Sequence, residues 1–476
     1  MSENKIVRTN FMWSYSQKIG QTIIGILIAA ILARIISPAE NGLIVFSLSI
    51  NAVAGMFLNF GFSSAIVQQK EVNQQQLSSV FFFNMVLATS IMLLLMSVAG
   101  FLAQYYENSV LQNVIIVSSI SFVFNAANIV PVGMLTRQMR YKTIAIRSLI
   151  STILSGSIGV TMAYNGYGVW SIVIQQLGYV VFNTIGNYLA TKWWPIWYYQ
   201  FGSIRHMFNF GFFMFLSGML DSIYSKLDYF IIAKVFKFGS LGQYGRAQMF
   251  DTQLRDLTSS SIIGVLFPLF AQKRDDKQAL QTMYETYFEM VTLIFCLFSG
   301  AMFLAAGFVF HILFGSQWTE SVFYFKIFII AGFAYPLSSL SLSIIESRGN
   351  SKNFLKVEVL KKILFLPTYF IAYYHGIIPY LYSYLIACFI GTFLNVKFVN
   401  FEIPFNFKKI VLTFFSYYIP AAIIIGVLYF IFSKYTLITT EIDGVIAAIL
   451  FFGTYFLLQY YTKSKGLQYL KAFLFK

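Results

Sequence analysis

The chain carries two cysteines, three histidines and nine prolines in 476 residues, and only 11% of its positions are charged. Each scarcity excludes something. Cys296 and Cys388 lie far apart inside apolar runs, so neither a disulfide framework nor a metal site with CxxC spacing can be written, and both read as small buried thiols. His206, His311 and His375 stand at the ends of apolar runs, far from one another in sequence, and read as interfacial residues rather than bases or ligands. No GxxxxGK[ST] loop, HExxH helix or GxSxG elbow is present. Soluble domains have about a quarter of their residues charged, and no stretch of this chain is polar and long enough to form one. An ordinary cytosolic enzyme is excluded.

What is abundant is apolar residue, at 58% of the chain. Fourteen membrane spans of about 20 residues would use roughly 280 positions, and 58% of 476 is about 276. The runs lie at about 11–36, 42–66, 77–103, 111–135, 143–164, 168–191, 207–235, 241–267, 284–313, 321–345, 354–374, 377–399, 408–433 and 442–462. Most contain Gly, Ser and Ala among the aliphatics, as in GILIAAILA (25–33), and such small residues let membrane helices approach closely. Alternating ten-residue strands are absent, which argues against a β-barrel. The expectation is an all-α polytopic membrane protein of about fourteen transmembrane helices. The polar, basic N-terminus precedes a run without a small-residue cleavage site and reads as a retained first span.

The net charge of +15 would suit nucleic acid only if the bases gathered on one soluble face. They punctuate the gaps between runs instead. With the N-terminus cytoplasmic, the loops on its side hold Lys70; Arg137, Arg140 and Lys142; Lys192 and Arg205; Lys273, Arg274 and Lys277; Arg348 and Lys352; Lys397 and Lys408; and the tail bases Lys463, Lys465, Lys471 and Lys476. The opposite loops hold Lys237 and Lys434, with Arg34 and Lys234 at span ends. Such asymmetry sets orientation, and it predicts both termini on the cytoplasmic side of a multi-pass protein. KWWPIWYY (192–199) reads as an interfacial aromatic anchor. In the tail, Leu467, Leu470, Phe473 and Leu474 share a face flanked by lysines, which suits a helix lying on the inner leaflet.

Sliding the sequence against itself produces a match at an offset of 200, with LARIISPAENGLIVF (32–46) opposite IAKVFKFGSLGQYGR (232–246). Ala33 pairs with Ala233, Arg34 with Lys234 and Gly42 with Gly242. Further on the offset drifts to 211, and Arg137 falls opposite Arg348. The repeat predicts two six-helix lobes in pseudo-repeat around a central cavity, 1–205 for spans one to six and 206–400 for spans seven to twelve, with spans thirteen and fourteen and an interfacial tail appended over 401–476. Substrate sites in such parallel-repeat transporters lie between the halves.

Ionisable residues inside spans cost about 2.5–3.5 kcal/mol each on insertion scales and usually face protein or a water-filled cavity. The seventh span holds Asp221, Lys226 and Asp228, the eighth Arg246, Asp251, Arg255 and Asp256, and the first Lys18 and Arg34. Asp221, Ser225 and Asp228 follow i, i+4, i+7 and share a stripe, while Asp251 and Arg255 are spaced to pair on one helix. A phosphate entering a cavity needs fixed positive charge, and Arg supplies it bidentately. Arg34, Lys226, Arg246 and Arg255 are therefore the candidates for binding an anionic headgroup. Asp221, Asp228, Asp251 and Asp256 are the candidate cavity acids, open to coupling with a proton or sodium gradient or to plain ion pairing. No cofactor and no metal site is called for.

LARIISPAENG (32–42), MLTRQMRYK (134–142), NGYGVWSIVIQQL (165–177), LDYFIIAKVF (227–236) with LGQYGRAQMF (241–250), FPLFAQKRDD (267–276) and ILFGSQW (312–318) occur in one order. Together they resemble bacterial polysaccharide flippases of the multidrug/oligosaccharidyl-lipid/polysaccharide exporter (MOP) superfamily, especially Wzx-like lipopolysaccharide biosynthesis proteins of the O-antigen and colanic-acid type. The resemblance implies fourteen helices in two six-helix lobes. It also implies a non-enzymatic activity at the bacterial inner membrane: carrying undecaprenyl-pyrophosphate-linked repeat units from the cytoplasmic to the outer leaflet by alternating access. Its implied partners are that glycan, membrane lipid, and the polysaccharide polymerase and chain-length regulator of the same pathway. Arg34 lies in a matching motif and carries over most directly to headgroup binding, Arg246 next. Three rivals stand beside this reading. A cation-coupled multidrug exporter of the same superfamily would have twelve spans and an acidic cavity, a membrane glycosyltransferase or polymerase would need a long outer loop, and a scaffold would need no intramembrane charge.

Overall fold

The computed structural model describes the backbone of residues 3–58, 62–69, 72–434 and 440–474; side chains are described over the same residues except 3–8, 11, 64, 65, 68, 203–222, 257–265, 351, 433, 440, 441 and 472–474. Among the described residues the structure is helical, without a strand. The chain divides into two compact units, Met1–Gly242 and Gln243–Lys476.

The first unit contains α1 (Glu3–Ile35), α2 (Pro38–Gly55), a short α3 (Phe62–Gln68), α4 (Gln74–Tyr105), α5 (Ser109–Ser119), α6 (Ser121–Arg137), α7 (Tyr141–Tyr164), α8 (Val169–Thr191) and the beginning of α9 (Phe201–Gln272). Local chemistry sets the helix starts. Ser37 caps α2 in a capping box with Glu40, and Pro38 occupies the first turn, where its missing N–H costs nothing. Asn73 and Gln76 make the same box at α4, and Asn108 caps α5. α9 turns sharply at Lys237, which has φ 66° and ψ 172°.

Trp193 of the aromatic segment is only 5% exposed and donates from Nε1 to Gln74 Oε1 at 2.7 Å, while Trp197 is 96% exposed and stacks on Phe82. The anchor is therefore half docked on protein and half free to meet lipid.

The second unit contains the rest of α9, α10 (Lys277–Phe314), α11 (Thr319–Gly332), α12 (Ala334–Ser347), α13 (Ser351–His375), α14 (Ile377–Val399), α15 (Phe407–Lys434), α16 (Thr440–Tyr461) and α17 (Lys465–Leu474). Its core is built around α10. Phe288, Val291 and Phe295 of α10 share one apolar cluster with Leu337 and Ile344 of α12, Phe414 of α15, Phe451 and Tyr455 of α16 and Leu467 of α17. α15, α16 and α17 contribute to the same apolar cluster as α10. Leu467 of the tail is buried in protein, and the Gly466 amide donates to Tyr417 Oη at 2.9 Å.

Eleven helical segments among the described residues are long and apolar enough to cross a membrane. They coincide with the expected spans one to six, nine, ten and twelve to fourteen. Spans seven and eight fall on α9, and span eleven falls on α13, which carries Lys356, Glu358, Lys361 and Lys362. This is an all-α, multi-pass membrane protein.

Candidate functional site

The first unit holds a partly open cavity of about 580 Å³ between helices distant in sequence. α1 contributes Gln21, α2 Asn51, α5 Ser118, α6 Ser121 and Asn125, α7 Thr152 and Ser155, and α8 Gln175, Gln176 and Tyr179. Helical spacing makes this possible. Ser121 and Asn125 are i, i+4 on α6, and Gln176, Tyr179, Asn183 and Asn187 follow i, i+3, i+7, i+11 along one face of α8. α7 and α8 close tightly because residue 159 is Gly: a Cβ there would come within 2.7 Å of Gln175 Cβ and 3.0 Å of Ser171 O. Backbone contact at that point sets where Gln175 enters the cavity.

No lining residue is charged. Thr152 Oγ1 donates to Ser148 O at 2.8 Å and Ser155 Oγ to Thr152 O at 3.2 Å. Their protons are committed to their own helix, and the oxygen lone pairs remain as acceptors. The side-chain amides of Asn125, Gln175 and Gln176 make no hydrogen bond among the described residues, and neither does Asn51 Oδ1. The lining therefore offers several neutral donors and acceptors at once.

A hydrogen-bonded ladder runs on from the cavity along α8. Tyr179 Oη accepts from Gln21 Nε2 at 3.2 Å and from Asn183 Nδ2 at 3.5 Å, which leaves its own proton to donate. Asn187 Nδ2 donates to Asn183 Oδ1 at 2.7 Å and to Asn128 Oδ1 at 2.9 Å. The ladder ends where Arg147 Nη1 of α7 meets Asn187 Oδ1 at 3.5 Å.

The charges singled out from sequence are distributed differently. Arg34 is exposed in the last turn of α1. Lys226 is half-buried with its ammonium 4.7 Å from the Tyr229 ring, and Asp228, 5% exposed, accepts from the Tyr229 amide at 2.9 Å. In the second unit Arg246 is enclosed at 4% exposure, its guanidinium 4.7 Å from the Trp318 ring and 5.3 Å from Phe314. Asp251 and Arg255 do pair, Nε to Oδ2 at 2.8 Å, and Arg255 lies 5.0 Å over Tyr335. Asp256 and Lys18 are exposed, and Asp221 lies outside the residues whose side chains are described.

Sequence reasoning tracked charge and passed over the neutral stripe and Arg147. One signal was legible. The segment Val169–Thr191 is the least apolar of the eleven candidate spans, because Gln175, Gln176, Asn183 and Asn187 lie within it.

Residues 31–323 match the polysaccharide biosynthesis protein family. The chain belongs to that family. It is similar to the succinoglycan biosynthesis transport protein ExoT of Rhizobium meliloti, at 26% identity over 66% of this chain and 64% of the relative, so it spans just under two thirds of that protein. It is also similar to the lipopolysaccharide biosynthesis protein WzxC of Escherichia coli, at 23% identity over 72% of this chain and 70% of the relative. Among solved structures, the lipid II flippase MurJ in an inward closed conformation superposes with a TM-score of 0.72 at 12% identity, covering 95% of this chain and 99% of that one. An inward-facing multidrug resistance MATE transporter superposes with a TM-score of 0.55, at 12% identity over 83% of this chain and 95% of that one. This member of the polysaccharide biosynthesis protein family therefore shares its fold with those two solved structures.

Proposed function

We propose that the protein flips undecaprenyl-pyrophosphate-linked oligosaccharide repeat units from the cytoplasmic to the outer leaflet of the bacterial inner membrane by alternating access. The observation that carries this reading is the neutral lining of the 580 Å³ cavity. A sugar presents hydroxyls that both donate and accept, and amides and hydroxyls match that pattern. An organic cation would call for carboxylates, and none lines this cavity. Sugars and phosphates cannot cross hydrocarbon without replacement hydrogen bonds, whereas an isoprenoid tail can stay in the bilayer. The names of the relatives, which include succinoglycan, teichuronic acid and lipopolysaccharide biosynthesis proteins, favour a glycan over a drug. Exposed Arg34 and half-buried Lys226 are proposed to meet the headgroup, and Asp221, Asp228 and Asp256 remain candidates for gradient coupling, Asp251 being paired with Arg255.

Deleting the gene should accumulate lipid-linked repeat units on the cytoplasmic face and remove surface polysaccharide; unchanged lipid-linked pools together with sensitivity to cationic dyes would establish the drug exporter instead. Within the cavity, Gln176→Leu and Asn125→Leu should each weaken sugar retention by about 1 kcal/mol, roughly fivefold. The double variant should cut polysaccharide output by an order of magnitude at normal protein level, and output equal to the parent protein would remove the cavity from the reading. Both termini are proposed to face the cytoplasm. A cysteine introduced at Lys142 should then be protected from an impermeant maleimide applied to whole cells, and ready labelling would reverse the topology.

A further inference from the structure

Arg147 lies in the seventh residue of α7, about 9 Å along the helix axis from its start at Tyr141. Intramembrane bases are normally paired with acids. Among the described residues Arg147 makes no ion pair, and its one hydrogen bond is the long contact to Asn187 Oδ1 at 3.5 Å. The neighbouring charge that bears on it is Arg140, another cation. Arg140 itself is accommodated, because its Nη1 donates to Ala190 O at 3.2 Å near the carbonyl end of α8, where positive charge is favoured. Two bases are thus gathered against the last turns of α8, and the inner one has no anion. Gly186 lets this happen: a Cβ there would stand 3.3 Å from Arg147 Cδ, so the stem of the arginine lies along α8. Asn187 in turn is held by Asn183 and Asn128, which fixes the direction its oxygen presents to the guanidinium.

We infer that Arg147, oriented by the Asn128–Asn183–Asn187 cluster, is the anchor for the phosphate groups of the lipid carrier, while the cavity beyond Tyr179 takes the sugars. This rests on the glycan reading above and assigns its anionic end. The spacing fits: Tyr179 and Asn187 are eight residues apart, about 12 Å along α8, so one ligand can place phosphate at Arg147 and sugar at Tyr179. A neutral amide contact of 3.5 Å is weak and gives way readily to a charge-assisted, bidentate bond from phosphate. The positive end also lies toward the loops 138–140 and 192–200, the side that the lysine and arginine asymmetry makes cytoplasmic and from which the lipid-linked unit would enter.

The test uses the purified full-length protein in detergent with three probes: undecaprenyl pyrophosphate, the neutral alcohol undecaprenol, and inorganic pyrophosphate. Arg147→Ala should weaken undecaprenyl pyrophosphate binding at least tenfold, and Arg147→Lys should recover part of it. Asn187→Asp, which places a carboxylate against the guanidinium, should weaken it as much as Arg147→Ala, and undecaprenol binding should stay unchanged in all three. Competition by inorganic pyrophosphate should be lost in the same variants. Folding is checked by melting temperature, with Arg147→Lys as the variant that keeps charge and length. Parent-like affinity for undecaprenyl pyrophosphate in both Arg147→Ala and Asn187→Asp would overturn the assignment, as would an equal loss of undecaprenol binding. A separate result bears on the wider reading: if the parent protein restores polysaccharide to a deletion strain and Arg147→Ala restores it equally, the anchor fails while the flippase stands. If the parent neither restores it nor binds the probe, the flippase itself fails.

Discussion

Removing one member of the Asp251–Arg255 pair is expected to destabilise the second unit by about 3–5 kcal/mol, the cost of leaving a buried charge uncompensated. The carboxylate is 2% exposed and the guanidinium side chain 18%, with Nε and Oδ2 2.8 Å apart. α11 seals the pair, since a Cβ on Gly332 would stand 2.9 Å from Asp251 Oδ1 and 3.0 Å from Arg255 Cδ. Arg255→Ala strands the more deeply buried partner and should be the worse of the two. Asp251→Ala leaves an arginine that keeps some solvent, its bond to Thr252 Oγ1 at 3.2 Å and its place over Tyr335. The double variant Asp251→Ala with Arg255→Ala should lose much less than the two single losses added together, because it removes both desolvated charges. Thermal unfolding in detergent micelles measures all three. Strict additivity, or an Arg255→Ala protein that melts with the parent, would mean that the pair does not hold this unit together.

Alanine at Gly42 or Gly242 is expected to be damaging for a different reason. A Cβ at position 42 would stand 1.8 Å from Phe238 O, and one at position 242 would stand 1.8 Å from Pro38 O. Both obstacles are backbone, so no rotamer change can relieve them. The start of α2 would have to retreat from α9, breaking the bond from Asn41 Nδ2 to Gly242 O at 3.0 Å and unpacking Phe46 from Phe230, Phe238 and Tyr106. Overpacking against movable side chains already costs about 1–3 kcal/mol, and the loss here should reach or exceed the top of that range. Gly25→Ala is the matched control: nothing lies within 4 Å of its Cβ position, so it should leave stability unchanged or raise it by up to about 1 kcal/mol through helix propensity. If Gly42→Ala melts as Gly25→Ala does, the contact is dispensable.

The same contact shows how far the sequence could be read. Gly42 and Gly242 were paired by a shift of 200 residues, and in the structure a Cβ on either would stand 3.0–3.1 Å from the other's backbone nitrogen. The shift also paired Ala33 with Ala233, and both are buried. Lys234, paired with Arg34, reaches Tyr105 O at 2.6 Å and lies 4.2 Å over the Tyr105 ring. A close backbone approach, where only Gly fits, leaves a mark in the sequence, whereas the partner of a long polar side chain does not. The i, i+4 spacing of Asp251 and Arg255 was legible because both partners are on one helix. Arg246 was legible as an intramembrane base, but its enclosure by Phe314 and Trp318 depends on a second helix end some seventy residues away.

Composition by itself determined that this chain is a helical membrane protein, since backbone polar groups in hydrocarbon must be satisfied within each segment and an apolar stock of this size leaves no other use for itself. The spacing of bases between runs carried the expected orientation, because that signal is read loop by loop. Only the tertiary structure brought the polar faces of separate helices together. A neutral Asn or Gln in a span is cheap enough to be tolerated on many faces and is silent in a search for charge. Gln21, Asn128, Arg147 and Asn187 become one polar path only when four helices turn those faces toward each other.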